Sequence, residues 1–312
     1  MTATPESLFD RSKPARIGIA MLNILLPGLG LVRLGHGREG GLIAAGALVA
    51  MWLLAGIALI APVGTFAMQG LIVLLFYLIY TLFLLFSLVL TWRQSRRDRD
   101  GRWWSRWYAI LLWWIVGIVA SIGSSALLHL SYKPFYVASV SMEPTLIRNE
   151  KLVADMRWRT PQIGNIVLVR APDGPPRIYR VAALGGQTFA MRQGVPIIDG
   201  HPAIQKQVGL AAISDPTLNG DTGRVMLEHL PGETGSHRIL QLPGYSLDEV
   251  ASVRVPVGAL YLLGDDRALA ADSRVPLEET GIGMPPASAI IGRPLFITWS
   301  KDRSRIGQRA DH

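Results

Sequence analysis

Cysteine is absent from this 312-residue chain. Its absence excludes a disulfide framework, a thiolate zinc site and a cysteine nucleophile, while leaving the compartment open, because exported domains also fold without disulfides. Charge is scarce, at 17% of residues, and acids are scarcer than bases: 23 against 31, a formal net charge of +8. Half of the chain is hydrophobic and mean hydropathy is +0.30, which excludes a disordered or fibrous protein and argues against a wholly soluble one. The length leaves room for about two ordinary domains.

What is present in abundance is long apolar runs, and they are confined to residues 1–130. Three of them, 40–62, 65–92 and 107–130, exceed the ~20 residues that a helix needs to cross a bilayer, and none has a charge in its core. A fourth stretch, 17–32, is shorter and is broken by Pro27, Gly28 and Gly30. With basic residues on both sides of it, this segment is expected to be re-entrant or interfacial rather than spanning. A cleaved signal peptide is the alternative, disfavoured by the lack of a small-residue cleavage site and by the spans that follow.

Dividing the charge at residue 130 changes its meaning. Residues 1–130 hold 11 Lys/Arg and 5 Asp/Glu, whereas residues 131–312 hold 20 and 18. The excess therefore belongs to the membrane segment. Arg93, Arg96, Arg97, Arg99, Arg102 and Arg106 lie between two apolar runs and are bordered by Trp92, Trp103, Trp104 and Trp107. That is the pattern of a cytoplasmic loop with interfacial aromatics, not of a nucleic-acid arm. By alternation the connection 62–65 is external and 33–39 cytoplasmic. The expectation is a multi-pass protein of the inner (plasma) membrane, with everything after residue 130 on the outer face, the lipid bilayer as a partner and nucleic acid as none.

Beyond residue 130 the texture is of short Val-, Ile- and Leu-rich runs separated by turn residues. Strands are expected at 151–155, 166–170, 178–183, 189–192, 196–199, 225–227, 238–242, 259–263 and 295–299, with hairpin turns at Asp199-Gly200 and Asn219-Gly220. The fold class is thus a multi-span α-helical membrane anchor followed by a mostly-β soluble domain over 131–300. Residues 301–312, polar and basic, read as a disordered tail.

Ser139-Val140-Ser141-Met142-Glu143-Pro144-Thr145-Leu146 follows the last span by about ten residues. On its own it is a weak signal, since surface serines are common. Further on come Gln162-Ile163-Gly164-Asn165, then Arg177-Ile178-Tyr179-Arg180-Val181, then Gly264-Asp265-Asp266-Arg267 to Asp272-Ser273-Arg274, and a closing Gly292-Arg293 to Trp299-Ser300. In this order the blocks resemble the type I signal peptidase (leader peptidase) family, membrane-anchored serine endopeptidases of the S26 group. The resemblance covers residues 134–300.

What the resemblance implies is a β domain of the signal peptidase type that cleaves leader peptides of exported proteins after small residues. Secretory preproteins or peptides would be the substrates, and neither cofactor nor metal is implied. Ser141 would be the nucleophile, with Met142, Pro144 and Thr145 completing its motif. The Ser141 N–H and the Ser139 hydroxyl would stabilise the oxyanion, at about 3 kcal/mol per donor. Asp265, Arg267, Asp272, Ser273 and Arg274 would support the site, and an ion-pair network with no substrate contact is an equal reading of them.

Two departures from the family pattern bear on the chemistry. The family's general-base lysine is replaced by Tyr179, and a serine that would orient that lysine is replaced by Ala270. General-base help is worth about 10²–10⁴ in rate. Burial lowers a lysine pKa toward neutrality but raises that of a tyrosine, so the replacement moves the base in the wrong direction. Arg177, on the same strand face as Tyr179, would favour tyrosinate, whereas Arg180 is expected on the opposite face. The other lysines of the domain are Lys133, Lys151, Lys206 and Lys301. Two functions stay open at this point: a serine endopeptidase, or a catalytically inactive homologue that binds peptides or partners. A small transporter built on the first helices is weaker, because His129 is the one ionisable residue in a long run, at its very end.

Overall fold

A computed structural model describes residues 13–60, 66–94, 107–171, 174–213, 222–242, 244 and 246–310. The arginines of 96–106, the connection 62–65 and the Asn219-Gly220 turn lie outside the described residues. The chain divides into two compact units at residues 130 and 131.

The first unit is helical: α1 (Lys13–Leu25), α2 (Leu29–Arg33), α3 (Gly37–Ile60), α4 (Phe66–Gln94) and α5 (Trp107–Ser131), the last ending one residue inside the second unit. Three of these are long and apolar enough to cross a membrane, at Gly37–Leu59, Gly70–Gln94 and Trp107–Ser131, within a few residues of the expected runs. Leu42, Leu53, Tyr77 and Val119 stay exposed on their surfaces, as lipid-facing side chains do. Where the helices meet, glycines admit large neighbours: an added Cβ at Gly41 would lie 3.1 Å from the Trp113 ring, one at Gly123 3.1 Å from Trp52, and one at Gly46 3.1 Å from Phe83.

The expected broken segment is α1, a turn and α2. At 13 and 5 residues, neither helix reaches the ~20 residues of a span. Asn23 is the reason the break holds. Its Oδ1 accepts the Gly28 and Gly30 N–H groups at 3.0 and 3.1 Å, and its Nδ2 donates to Thr91 Oγ1 at 3.0 Å. Gly28 N–H also donates to Ser87 Oγ at 3.1 Å. These bonds satisfy backbone donors that apolar surroundings would otherwise leave bare. Gly28, at φ 99°, has no alternative there, since a Cβ would meet Gly40 O at 2.1 Å.

The second unit is mostly β: β1 (Tyr132–Tyr136), β2 (Lys151–Asp155), β3 (Ile166–Val169), β4 (Arg177–Leu184), β5 (Thr188–Arg192), β6 (Val195–Ile198), β7 (His201–Pro202), β8 (Ile204–Ala212), β9 (Thr222–His229), β10 (His237–Gln241), β11 (Val250–Arg254), β12 (Leu260–Leu263) and β13 (Ile290–Trp299). They form a six-stranded sheet in the order β1-β2-β13-β3-β4-β12, a three-stranded sheet β10-β9-β8 and a four-stranded sheet β11-β5-β6-β7. Each of the nine expected strands is present. The Asp199-Gly200 turn joins β6 to β7, with φ of 49° and 81°.

Four strands escape the sequence pattern. β1 carries Pro134, which an edge strand tolerates because one row of its backbone groups has no partner to lose. β8 is a surface strand whose Gln and Lys positions hide any apolar alternation, and β7 has two residues. β11 is half-exposed throughout. The disordered tail is corrected over residues 301–310. Asp302 caps a 3-10 turn at Arg303–Arg305, Ala310 N–H donates to Leu295 O at 2.9 Å, and Ala310 is fully buried.

Candidate active site

The block Ser139–Leu146 lies in the loop between β1 and β2, and its apolar members anchor it. Met142 and Leu146 are buried with Leu152, Ala154 and Ile297, so two residues of the block also belong to the core. The loop is closed at its base by Val137 N–H to Glu150 O at 2.9 Å and Asn149 N–H to Val137 O at 2.8 Å. Thr145 Oγ1 donates to the Asp265 carboxylate. Arg305, from the ordered tail, donates to Thr145 O at 2.8 Å and to Glu150 at 2.6 Å. Sequence reasoning missed Arg305, since nothing in a basic C-terminal stretch marks one arginine as an anchor.

Ser141 O accepts the Asp266 N–H at 3.1 Å, which ties the Ser141 turn to the loop that follows β12. Gly264 makes this approach feasible: a Cβ there would lie 2.5 Å from Ser141 O and 2.2 Å from the Ala270 Cβ. Ser139 and Ser141 open into a cavity of about 440 Å³, together with Tyr136, Ile178, Tyr179 and Ala271. Arg177 and Thr280 also line it, and Arg177 Nη1 donates to Thr280 O at 2.7 Å. The residues that the sequence pairs across about forty positions, Ser141 and Tyr179, thus share one cavity.

Tyr179 is buried, with 3% of its surface exposed, and its hydroxyl donates to Ala271 O at 2.6 Å. The phenol proton is therefore committed to a backbone carbonyl. None of Lys133, Lys151, Lys206 and Lys301 lines the cavity. Lys133 sits exposed on β1 opposite Ala154, and Lys151 lies 5.9 Å from the Trp299 ring. Strand alternation sends Arg180 to the other face, where it is 1% exposed and paired with Asp265 at 2.7 and 2.8 Å.

The supporting residues form a buried charge network and none of them lines the cavity. Asp265 bridges Arg180 and Thr145; burial works against its charge, but Arg180 more than offsets this and holds its carboxyl below the usual range. Arg267 donates to Gly264 O at 3.0 Å and pairs with Glu228. Despite burial, Arg267 and His237 pull the Glu228 pKa down to about 2. His237 completes the cluster between Glu228 at 3.2 Å and Glu233 at 2.9 Å. Asp272 accepts the Gly264 N–H at 2.9 Å and pairs with Arg274 at 2.8 Å, both side chains fully buried. Ser273 Oγ accepts the Leu262 N–H at 2.9 Å and donates to Gly283 O. Asp266 differs from the rest. Its Oδ1 accepts two N–H groups, its Oδ2 has no hydrogen-bond partner, and burial pushes its pKa up to about 7.

The Peptidase_S26 family profile, described as signal peptidase, peptidase S26, matches residues 106–299. Among related proteins, the probable signal peptidase I-1 of Synechocystis sp. is 30% identical over 176 residues, 53% of this chain and 69% of that protein. Signal peptidase I of Mycobacterium tuberculosis is 24% identical over 236 residues, 61% of this chain and 72% of that protein. Signal peptidase I V of Bacillus subtilis is 28% identical over 167 residues, 52% and 86% respectively. With more than half of its length matched by the family profile, the chain belongs to the signal peptidase family, peptidase S26.

Proposed function

We propose that this protein is a membrane-bound signal peptidase homologue that receives extended leader-peptide segments of exported proteins beside Ser141 and holds them without cutting them. The β unit would work on the outer face of the inner membrane, the side that the arginine-rich loop at 93–106 assigns by the positive-inside rule. Support for peptide binding comes from the sheet register. β12 pairs with β4 only over residues 180–184, and β3 covers the other side of Arg177–Tyr179. Residues 177–179 lie beyond the end of the β12 pairing, and they line the cavity together with Phe135 and Tyr136 of the edge strand β1. A peptide in extended form can add a strand there, with small side chains entering beside Ser141.

The observation that carries the non-cleaving reading is the Tyr179 hydroxyl donating to Ala271 O. A neutral, buried phenol that gives its proton to a carbonyl is no proton acceptor at neutral pH, and Ala270 offers no hydroxyl to orient a base. The second reading is a serine endopeptidase cleaving after small residues, favoured by Ser139 and Ser141 lining one cavity. A leader-peptide cleavage assay on the purified full chain separates the two. The expected result is saturable peptide binding without cleavage, and gain of cleavage in Tyr179→Lys plus Ala270→Ser. Wild-type cleavage that disappears in Ser141→Ala sinks the non-cleaving reading.

A further inference from the structure

α5 ends at Ser131 and the chain runs directly into β1. The first residues of the β unit are therefore held at the end of a 25-residue apolar helix, whatever the tilt of the unit. Their surroundings are basic and aromatic. Met156 N–H donates to Ser131 O at 2.8 Å, bringing residues 156–159 back to that starting point. Arg157 lies 4.8 Å from the centre of the Tyr132 ring and donates to its hydroxyl at 2.7 Å. It pairs with Asp155, yet 40% of its side chain stays exposed. Arg293, opposite Asp155 in the β2–β13 ladder, lies 5.4 Å from the Trp158 ring, and its Nε is buried without a hydrogen-bond partner. Exposed Arg159 and Arg170 line a cleft of about 490 Å³ with Leu277, Ile282, Met284 and Ile291, and among the described residues no carboxylate lines it.

Scattered surface arginines are ordinarily just solvated. Here Arg157 and Arg293 each lie against an aromatic ring, Arg159 and Arg170 share one cleft, and Met156 is bonded back to Ser131, where α5 gives way to β1. We propose that this face binds the headgroups of anionic phospholipids, with the phosphates on Arg157, Arg159, Arg170 and Arg293 and with Tyr132 and Trp158 at headgroup level. Basic side chains near an anionic surface each raise lipid occupancy about fivefold, and tyrosine and tryptophan favour the interface. The cleft adds an apolar floor below two of the guanidiniums. This role does not depend on whether Ser141 cuts, because it uses none of the residues around Ser141.

The absence of cysteine makes the test direct. A fluorophore on Thr160→Cys in the reconstituted full chain reports quenching by nitroxide-labelled phosphatidylglycerol or nitroxide-labelled phosphatidylcholine, at equal mole fraction in vesicles. The expected result is severalfold stronger quenching by phosphatidylglycerol, weakening as salt rises. The preference is expected to vanish in Arg159→Gln/Arg170→Gln/Arg293→Gln and to survive in the corresponding triple lysine variant. Equal quenching by the two lipids overturns the proposal, as does a preference that persists in the glutamine variant or is lost in the lysine variant. Abolition of the preference by inorganic phosphate at constant ionic strength overturns it too, by showing a small-anion site instead.

Discussion

In the proposed non-cleaving function, Tyr179 matters more than Ser141. Its hydroxyl donates to Ala271 O, so Tyr179→Phe removes a part-buried hydrogen bond and is expected to cost about 1 kcal/mol in thermal unfolding of the full chain, with leader-peptide affinity unchanged. Asp266 carries the opposite burden, a buried carboxyl whose folded pKa is raised to about 7 from 3.8. Such a group binds its proton more tightly when folded, so its contribution to stability is present below pH 3.8 and is lost as pH rises through 7. Asp266→Asn is therefore expected to raise the melting temperature at pH 8 and to leave it little changed at pH 4. Glu228, lowered to about 2 from 4.5, behaves in reverse: its contribution is complete above pH 4.5 and fades as pH falls through 2. Glu228→Gln should flatten that acid limb of the stability profile. Arg180 and Asp265, each at most 1% exposed, were legible as charges in a motif but not as partners. The sequence shows that strand alternation separates Arg180 from Tyr179, while the 85 positions between Arg180 and Asp265 carry no sign of their pairing.

At the scale of the element, the Ser139–Leu146 loop is held by two others: the loop following β12 through Asp265 and Asp266, with Arg180 of β4 fixing Asp265, and the chain's last ten described residues through Arg305. Arg305→Ala leaves Glu150, whose side chain is 2% exposed, without its cation. The expected cost is about 3 kcal/mol in thermal unfolding, with weaker leader-peptide binding, as for one partner removed from a buried pair. Strands β3 and β12, apolar at every position and fully buried, were readable from composition alone. β8 was not, because its nine residues lie on the surface of a three-stranded sheet and surface strands need no hydrophobic alternation. The tail was misread for a related reason: polarity predicts solvation, but residues 307–310 are recruited by backbone pairing with β13, which no local pattern announces.

For the whole molecule, the division at residue 130 was visible in the sequence as a change from long apolar runs to short ones. The cavity was visible only in its two serines and the tyrosine; Ala271 O and the end of the β4–β12 pairing are backbone features and leave no residue signature. The polar knot of the helical unit carries a further consequence, for the order of assembly. Gly28 and Asn23 find their partners in Ser87 and Thr91, about sixty to seventy residues later in the chain. As the chain is synthesised, the turn between α1 and α2 emerges long before α4 does. Until then Asn23 alone pairs the Gly28 and Gly30 N–H groups, and bare N–H groups in hydrocarbon would cost several kcal/mol each. The knot is completed only when Ser87 and Thr91 arrive, so the earliest helices are locked in place by a helix made much later.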